Sequence, residues 1–221
     1  MKVLLFGATG MVGQGVLREC LRDTAVDEVA AIGRNSSGVR DSKFTQITHS
    51  DLMSYTDVED RLRGFDACYF CLGVSSAGMS EPAYERITYG FTLAAAETLS
   101  RLNPGMVFVY VSGAGTDSTE KGRAMWARVK GRTENALLRL PLNAYMFRPG
   151  IIQPLDGIRS RTAAYRVLYA LFWPLLPILR LLAPNQILTT REIGQAMLNV
   201  TRRGFPRRIL EVRDIRAAVL K

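Results

Sequence analysis

The chain is short of the residues that several chemistries require. It has one histidine, His49, so neither an imidazole-based zinc site nor a histidine-driven nucleophile triad is expected. Its three cysteines, Cys20, Cys68 and Cys71, sit among apolar residues and are too few for a secreted disulfide framework. Cys68 and Cys71 have redox or metal spacing, but they fall in an apolar run read as a strand, where positions i and i+3 face opposite sides. With no second pair beside them, buried strand cysteines are expected and no metal. Lys2 leads straight into an apolar run and a glycine loop, without signal-peptide features, so a reducing cytoplasm is the expected compartment. Repeats, low-complexity tracts and linkers are lacking too. Residues 167–179 form an uncharged stretch of only 13 residues, broken by Pro174 and Pro177, whereas a bilayer span needs about 20.

What is present fits one soluble domain: 221 residues, 48% hydrophobic and 22% charged. The net charge of +9 is uneven. Residues 1–150 carry 17 Lys/Arg against 16 Asp/Glu, a net of +1, and residues 151–221 carry 12 against 4, a net of +8. A neutral front and a basic back suggest either two tasks or one task and one solvated surface.

Apolar runs at residues 2–6, 29–32, 44–48, 67–72, 106–111 and 143–147 read as strands. Helical patterns fill the intervals at 12–21, 55–63, 81–102 and 121–139. Strands alternating with helices imply parallel pairing through right-handed crossovers, an α/β doubly wound sheet of the Rossmann type. After Gly150 the alternation stops and a small, mostly helical lobe is expected. Thr189 and Glu192 have capping-box spacing for a helix reaching about Arg203, and residues 207–212 read as a last strand. The division expected is a single domain, with a nucleotide-binding core at 1–150 and a variable substrate or lid lobe at 151–221.

The first strand runs into Gly7-Ala-Thr-Gly10-Met-Val-Gly13 and then a helix. In that order, Gly7 permits the tight turn, Gly10 lets the backbone approach a pyrophosphate, and Gly13 allows close helix–strand packing. The helix N-terminus faces the bound anion with free amides and the positive end of its dipole. NAD-binding proteins usually carry Asp or Glu after the second strand, for the ribose 2′-hydroxyl. Here the residues are Gly33-Arg34-Asn35-Ser36-Ser37, with no carboxylate. Arg34 offers a fork of donors to a 2′-phosphate, so NADP(H) is expected over NAD(H), against the plainer reading of a solvated arginine. Asp51, after the third strand, is placed either to accept from the adenine amino group or to cap a helix.

The segments GATGMVG, GRN, HSDL, CLG, YVSGAG, VKGRTENAL and FRPG, in this order over residues 1 to about 150, resemble the atypical short-chain dehydrogenase/reductases. These are NAD(P)H-binding proteins related to NmrA-like regulators and nucleotide-sugar epimerases. The resemblance implies that Gly7, Thr9, Gly10, Met11, Val12 and Gly13 line the pyrophosphate and that Arg34 meets the 2′-phosphate. It sets Asp51 and Leu52 at the adenine, and Leu72 and Gly73 on the adenosine side. Ser112 and Lys130 would lie by the nicotinamide ribose, and Pro149 and Gly150 beside the ring.

Dehydrogenases of this superfamily use a tyrosine four residues before the lysine as general acid or base, with a strand serine polarising the substrate oxygen. Ser112 and Lys130 match that set, and Glu134 continues the helix. The tyrosine position is Trp126, whose indole N–H is only a donor and does not titrate. The expected function is an oxidoreductase or epimerase-like activity on an unknown small substrate at Ser112, Lys130 and Trp126, with another acid (Tyr89, Tyr110 or a water on Ser112). The alternative is a pocket that binds NADP(H) as a sensor without turnover, and the plainer reading of Trp126 is a core or pocket-wall aromatic.

Ser112 lies in VSGAG rather than G-x-S-x-G, which excludes a hydrolase elbow. Residues 167–179, with Tyr169, Trp173 and flanking arginines at 159, 161, 166 and 180, suit either a helix over the substrate pocket or an interfacial segment on anionic lipid. No nucleic-acid reading motif accompanies the basic lobe. An unidentified small-molecule substrate and a monomer or homodimer are expected.

Overall fold

The computed structural model describes residues 1–158 and 186–220. Its core is a seven-stranded sheet in the order β3-β2-β1-β4-β5-β6-β9. The strands are β1 (Lys2–Phe6), β2 (Glu28–Gly33), β3 (Phe44–Thr48), β4 (Ala67–Phe70), β5 (Val107–Val111), β6 (Asn143–Arg148) and β9 (Ile209–Glu211). Every pairing between them is parallel. The order is that of the doubly wound fold, in which the chain leaves β1 toward one edge and returns past it to the other. The expected fold class is therefore the observed one.

Side-chain alternation along β1 divides the core in two. Val3 and Leu5 pack on one face, under α1 (Met11–Arg22), α5 (Thr190–Arg203) and α6 (Val212–Val219). Leu4 and Phe6 pack on the other, beneath α3 (Phe91–Leu102) and α4 (Met125–Leu137). Cys68 and Cys71 follow the same rule: Cys68 belongs to the second face, Cys71 packs on the first, and all three cysteines are free thiols. α1 and α5 meet closely because glycines remove side chains at the contact. A Cβ on Gly15 would lie 2.5 Å from Thr190 Cβ, and one on Gly194 would lie 2.9 Å from Glu19 Cβ.

The predicted helix at 81–102 consists of α2 (Glu81–Glu85), a π-turn (Arg86–Gly90) and α3. The predicted helix at 121–139 begins four residues later, at Met125. The helix expected at 55–63 shrinks to a 3₁₀ turn, Glu59–Leu62. His49 explains part of this, since Nε2 lies 2.6 Å from the Asp51 carbonyl oxygen and 2.7 Å from that of Ser54, pinning the segment as turns. Beyond Gly150, two three-residue strands, β7 (Ile151–Gln153) and β8 (Ile187–Thr189), pair in parallel as a second sheet that sequence periodicity did not reveal. The capping box at Thr189 and Glu192 forms as expected and opens α5. The apolar stretch at 167–179 and its flanking arginines lie outside the described residues.

Candidate functional site

Parallel pairing sends the carboxyl ends of β1, β2, β4, β5 and β6 to one edge of the sheet, where the predicted site residues gather. At the end of β1 the chain turns sharply through Gly7, at φ +79°, a conformation that glycine alone adopts freely. A Cβ on Gly7 would lie 2.7 Å from the backbone of Cys71 and Leu72, and one on Gly13 only 2.1 Å from the Gly7 carbonyl oxygen. These contacts seat the loop against the end of β4 and the first turn of α1 against the loop. A Cβ on Gly10 would meet only the Gly7 oxygen, at 3.3 Å, so its other side is open. Gly10 is the N-cap of α1, no side chain caps the helix, and its first turn, with Met11, Val12 and Gly13, holds no acidic residue. The uncapped amides and dipole are thus left for an external anion.

Beside this loop is a cleft lined by Gly7 and Thr9 after β1, Arg34 after β2, Gln46 on β3, and Leu52 and Leu72. Arg34 is exposed and makes no ion pair with any described residue. Asp51 is not in the lining. It is exposed, and its Oδ1 accepts from the Met53 amide at 3.0 Å, closing a turn rather than capping a helix. Gly73 follows Leu72 with open space around its missing side chain. Sequence reasoning missed several cleft residues, among them Ala8, Ala31 and the polar Gln46; a glutamine beside Thr45 and Ile47 on the strand was the available signal for the last.

Two strands further along, Trp126, Lys130 and Glu134 form one stripe of α4, at i, i+4 and i+8. Glu134 is wholly buried and accepts from Arg148 Nε at 3.0 and 3.2 Å and from Arg148 Nη2. It also accepts from Ser112 Oγ at 2.5 Å, and the same hydroxyl lies 3.1 Å from the Phe147 carbonyl. Arg148 goes on to Ser118 Oγ at 2.6 Å and Glu211 Oε1 at 3.1 Å. The single Ser112 proton is thus directed to buried acceptors, the Glu134 carboxylate and the Phe147 carbonyl.

Lys130 is half-buried and donates from Nζ to the Ser112 carbonyl. Burial pulls its ammonium down to about 8, with the nearby Glu134 charge acting in the opposite direction. A Cβ on Gly113 would lie 3.7 Å from that Nζ, so the lysine lies against the backbone of both Ser112 and Gly113. The Trp126 indole lies over Gly115, with Cη2 3.4 Å from where a Cβ would be. Pro149 accepts from the Ala114 amide at 2.8 Å and holds this loop. Gly150 is packed in, since a Cβ there would lie 2.6 Å from the Gln186 carbonyl oxygen.

Two tyrosines are the candidates for a substitute acid. Tyr110 is buried in the core, and that burial pushes its phenol far above the ordinary range. Tyr89 lies under the Arg132 guanidinium at 4.9 Å, and Arg132 pairs with Glu85 at 2.6 Å. Arg132 is six residues beyond Trp126 and leaves α4 in a different direction. Among the described residues no His/Cys/Asp/Glu group could hold a metal, and no helix is long and apolar enough to cross a membrane.

The profile of a family described as NAD(P)H-binding matches residues 7–162. Protein FMP52-2, mitochondrial, from Scheffersomyces stipitis is 27% identical over 152 residues, covering 67% of this chain and 65% of that protein. Protein HTATIP2 from Rattus norvegicus is 24% identical over 153 residues, covering 68% of this chain and 62% of that protein. The chain thus spans just under two thirds of the length of these relatives. Among solved structures, the Bordetella bronchiseptica enzyme WbmF in complex with NAD+ superposes with a TM-score of 0.68 at 14% identity, over 98% of this chain and 76% of that one. A UDP-N-acetylglucosamine 4-epimerase from Methanobrevibacter ruminantium gives 0.67 at 15% identity, over 94% and 74%. These likenesses establish a fold of the short-chain dehydrogenase and epimerase type, in agreement with the resemblance seen in the motifs.

Proposed function

The chain belongs to the NAD(P)H-binding family, and from that premise we propose that it binds NADP(H) in the carboxyl-edge cleft without the serine–tyrosine proton transfer of the family's dehydrogenases. One observation carries this reading: the Ser112 hydroxyl is committed to Glu134, at 2.5 Å. Trp126, at the tyrosine position, offers no titratable group in its place. Bound dinucleotide would supply or accept hydride. The chain's own residues would hold it through the α1 amides, Arg34 and Lys130, leaving a protein that reports the NADP(H) redox state to a partner. Arg34 supports NADP(H) over NAD(H), being exposed on the cleft wall with no ion pair among the described residues. Calorimetric titration of both dinucleotides tests this. NADP(H) is expected to bind more tightly, with the preference lost in Arg34→Ala, and equal affinities in the wild type would overturn it.

A second reading, an oxidoreductase or epimerase-type enzyme on a small substrate, draws support from Lys130, whose lowered ammonium gives the pocket one group able to exchange a proton near neutrality. Trp126→Tyr separates the two. Under the first reading the wild type is nearly inert toward generic carbonyl compounds and the variant gains turnover. Brisk wild-type turnover that is indifferent to Trp126→Phe would establish the second.

The excess positive charge of residues 151–221 supports weak contact with anionic membrane surfaces. Arg202, Arg203, Arg207 and Arg208 are exposed. Co-sedimentation with anionic vesicles should fall with salt, and protein that stays in the supernatant at low salt would exclude it. Three free thiols fit a reducing compartment such as the cytoplasm, whereas the FMP52 relatives carry mitochondrial names. Fractionation of tagged protein decides between them.

A further inference from the structure

The cleft lining includes Arg34, just after β2, and Gln46, on β3. Arg34 opens an irregular loop, and the loop's own hydrogen bonds are short-range. The Gly38 amide donates to Ser36 Oγ at 3.2 Å and the Val39 amide to Ser37 Oγ at 3.4 Å. Such turns fix local shape but do not tie the loop to the sheet. Gln46 supplies a tie. Its Oε1 accepts from the Ser37 amide at 3.3 Å and its Nε2 donates to the Ala31 carbonyl at 3.1 Å. Ala31 is its register partner on β2, so the side chain spans from the body of one strand to the loop beyond its end. The amide orientation is set by this pair of contacts, because a flipped amide would place N–H against N–H and oxygen against oxygen.

We infer that Gln46 is a specificity-determining residue, a neutral amide that holds the Arg34 loop in place and keeps the cleft wall free of negative charge, so that a 2′-phosphate is accepted beside Arg34. The inference rests on the NADP(H) reading above. Glutamate has nearly the same shape and still accepts from Ser37, but it loses the donor to Ala31 and adds a charge facing the phosphate. Alanine loses both hydrogen bonds and adds no charge. The two substitutions therefore separate the holding role from the charge role. Arg61 Nη2 donates to the Gln46 backbone carbonyl at 3.2 Å, and its guanidinium could partly neutralise a glutamate, a route that the alanine arm does not share.

The test titrates NADP+ and NAD+ into wild type, Gln46→Ala, Gln46→Glu and Arg34→Ala, at low and high salt, with thermal melting of each protein. Gln46→Ala should weaken NADP+ by roughly two- to tenfold, the worth of a hydrogen bond, independent of salt. Gln46→Glu should weaken NADP+ by more than tenfold at low salt, with part of the loss recovered by screening at high salt. NAD+ should change by no more than about twofold in either variant. Parallel loss of both dinucleotides would mean a merely structural role and would overturn the inference. So would unchanged NADP+ affinity in both Gln46 variants alongside a lost preference in Arg34→Ala, an outcome that leaves the NADP(H) reading standing. A wild type without preference sinks that reading and the inference with it.

Discussion

Arg148→Met should destabilise the protein by about 3–5 kcal/mol, the cost of breaking a buried ion pair by removing one partner. The structure puts the site at the costly end. Glu134 has no solvent exposure, Arg148 has 9%, and three of the carboxylate's contacts come from the one guanidinium. With the guanidinium gone, Glu134 keeps one hydrogen bond, from the Ser112 hydroxyl, and the attraction of the nearby Lys130 ammonium. The contact between Arg148 and Glu211 adds less, because that carboxylate side chain is 52% exposed. In a domain of this size the loss corresponds to a fall in Tm of roughly 6–20 °C.

Urea unfolding followed by circular dichroism measures the change. The informative partner is the double variant Arg148→Met with Glu134→Leu, which removes both charges. It should recover most of the loss, since apolar replacement of a buried pair is often neutral or stabilising. If Arg148→Met alone costs less than about 1 kcal/mol, or if the double variant is as unstable as the sum of the singles, the stranded-charge argument is wrong. The double variant also frees the Ser112 hydroxyl from its acceptor on Glu134. It would therefore be the background in which to look for activity gained by Trp126→Tyr.

Three further outcomes follow from the geometry of the site. Lys130 should be the first lysine acylated at about pH 8, with NADP(H) protecting it, as read by peptide mass mapping; uniform labelling of all lysines would refute this. Its folded value of about 8 lies below the ordinary 10.5, so between those values the unfolded chain binds the extra proton and stability rises with pH. Below about 8 both states are charged and the cost of burying the ammonium is felt in full; Lys130→Met should flatten that rise in pH-dependent melts. Gly13→Ala should abolish dinucleotide binding or folding, because its Cβ would lie 2.1 Å from the Gly7 oxygen; calorimetric titration and a thermal melt read the loss, and wild-type binding by the variant would refute it.

Features set by local chain chemistry were legible in the sequence. The glycine loop, the β1 and β5 runs and the Thr189–Glu192 capping box each depend on a few consecutive residues, and each appears where expected. Features set by distant contacts were not. The 55–63 segment has a helical pattern, but the His49 ring takes up the Asp51 and Ser54 carbonyls and folds its start into turns. β7 and β8 have three residues each, too few for a period to show, and they exist because they pair with each other. Ser112 was visible as a motif residue, but the direction of its hydroxyl depends on Glu134, 22 residues later, and on Arg148 beyond that. Gln46 looked like an ordinary strand residue, since its role comes from Ser37 and Ala31 on neighbouring parts of the sheet.

The dinucleotide half and the reaction half of the site are built from different materials, which explains how a tryptophan can stand at position 126. The loop from Gly7 to Gly13 acts through backbone amides, a positive φ and the absence of side chains, all fixed by the β1–α1 connection and its contact with β4. The stripe of Trp126, Lys130 and Glu134 acts through side chains on one helix. A substitution at 126 alters one group on that stripe, while Glu134 and Arg148 continue to hold α4 against β6 and Lys130 continues to meet the Ser112 carbonyl. Nothing in the β1–α1 cradle depends on the indole. On the proposed reading, dinucleotide binding therefore requires no phenol at position 126, and a chain with this fold is as well suited to reporting cofactor as to consuming it.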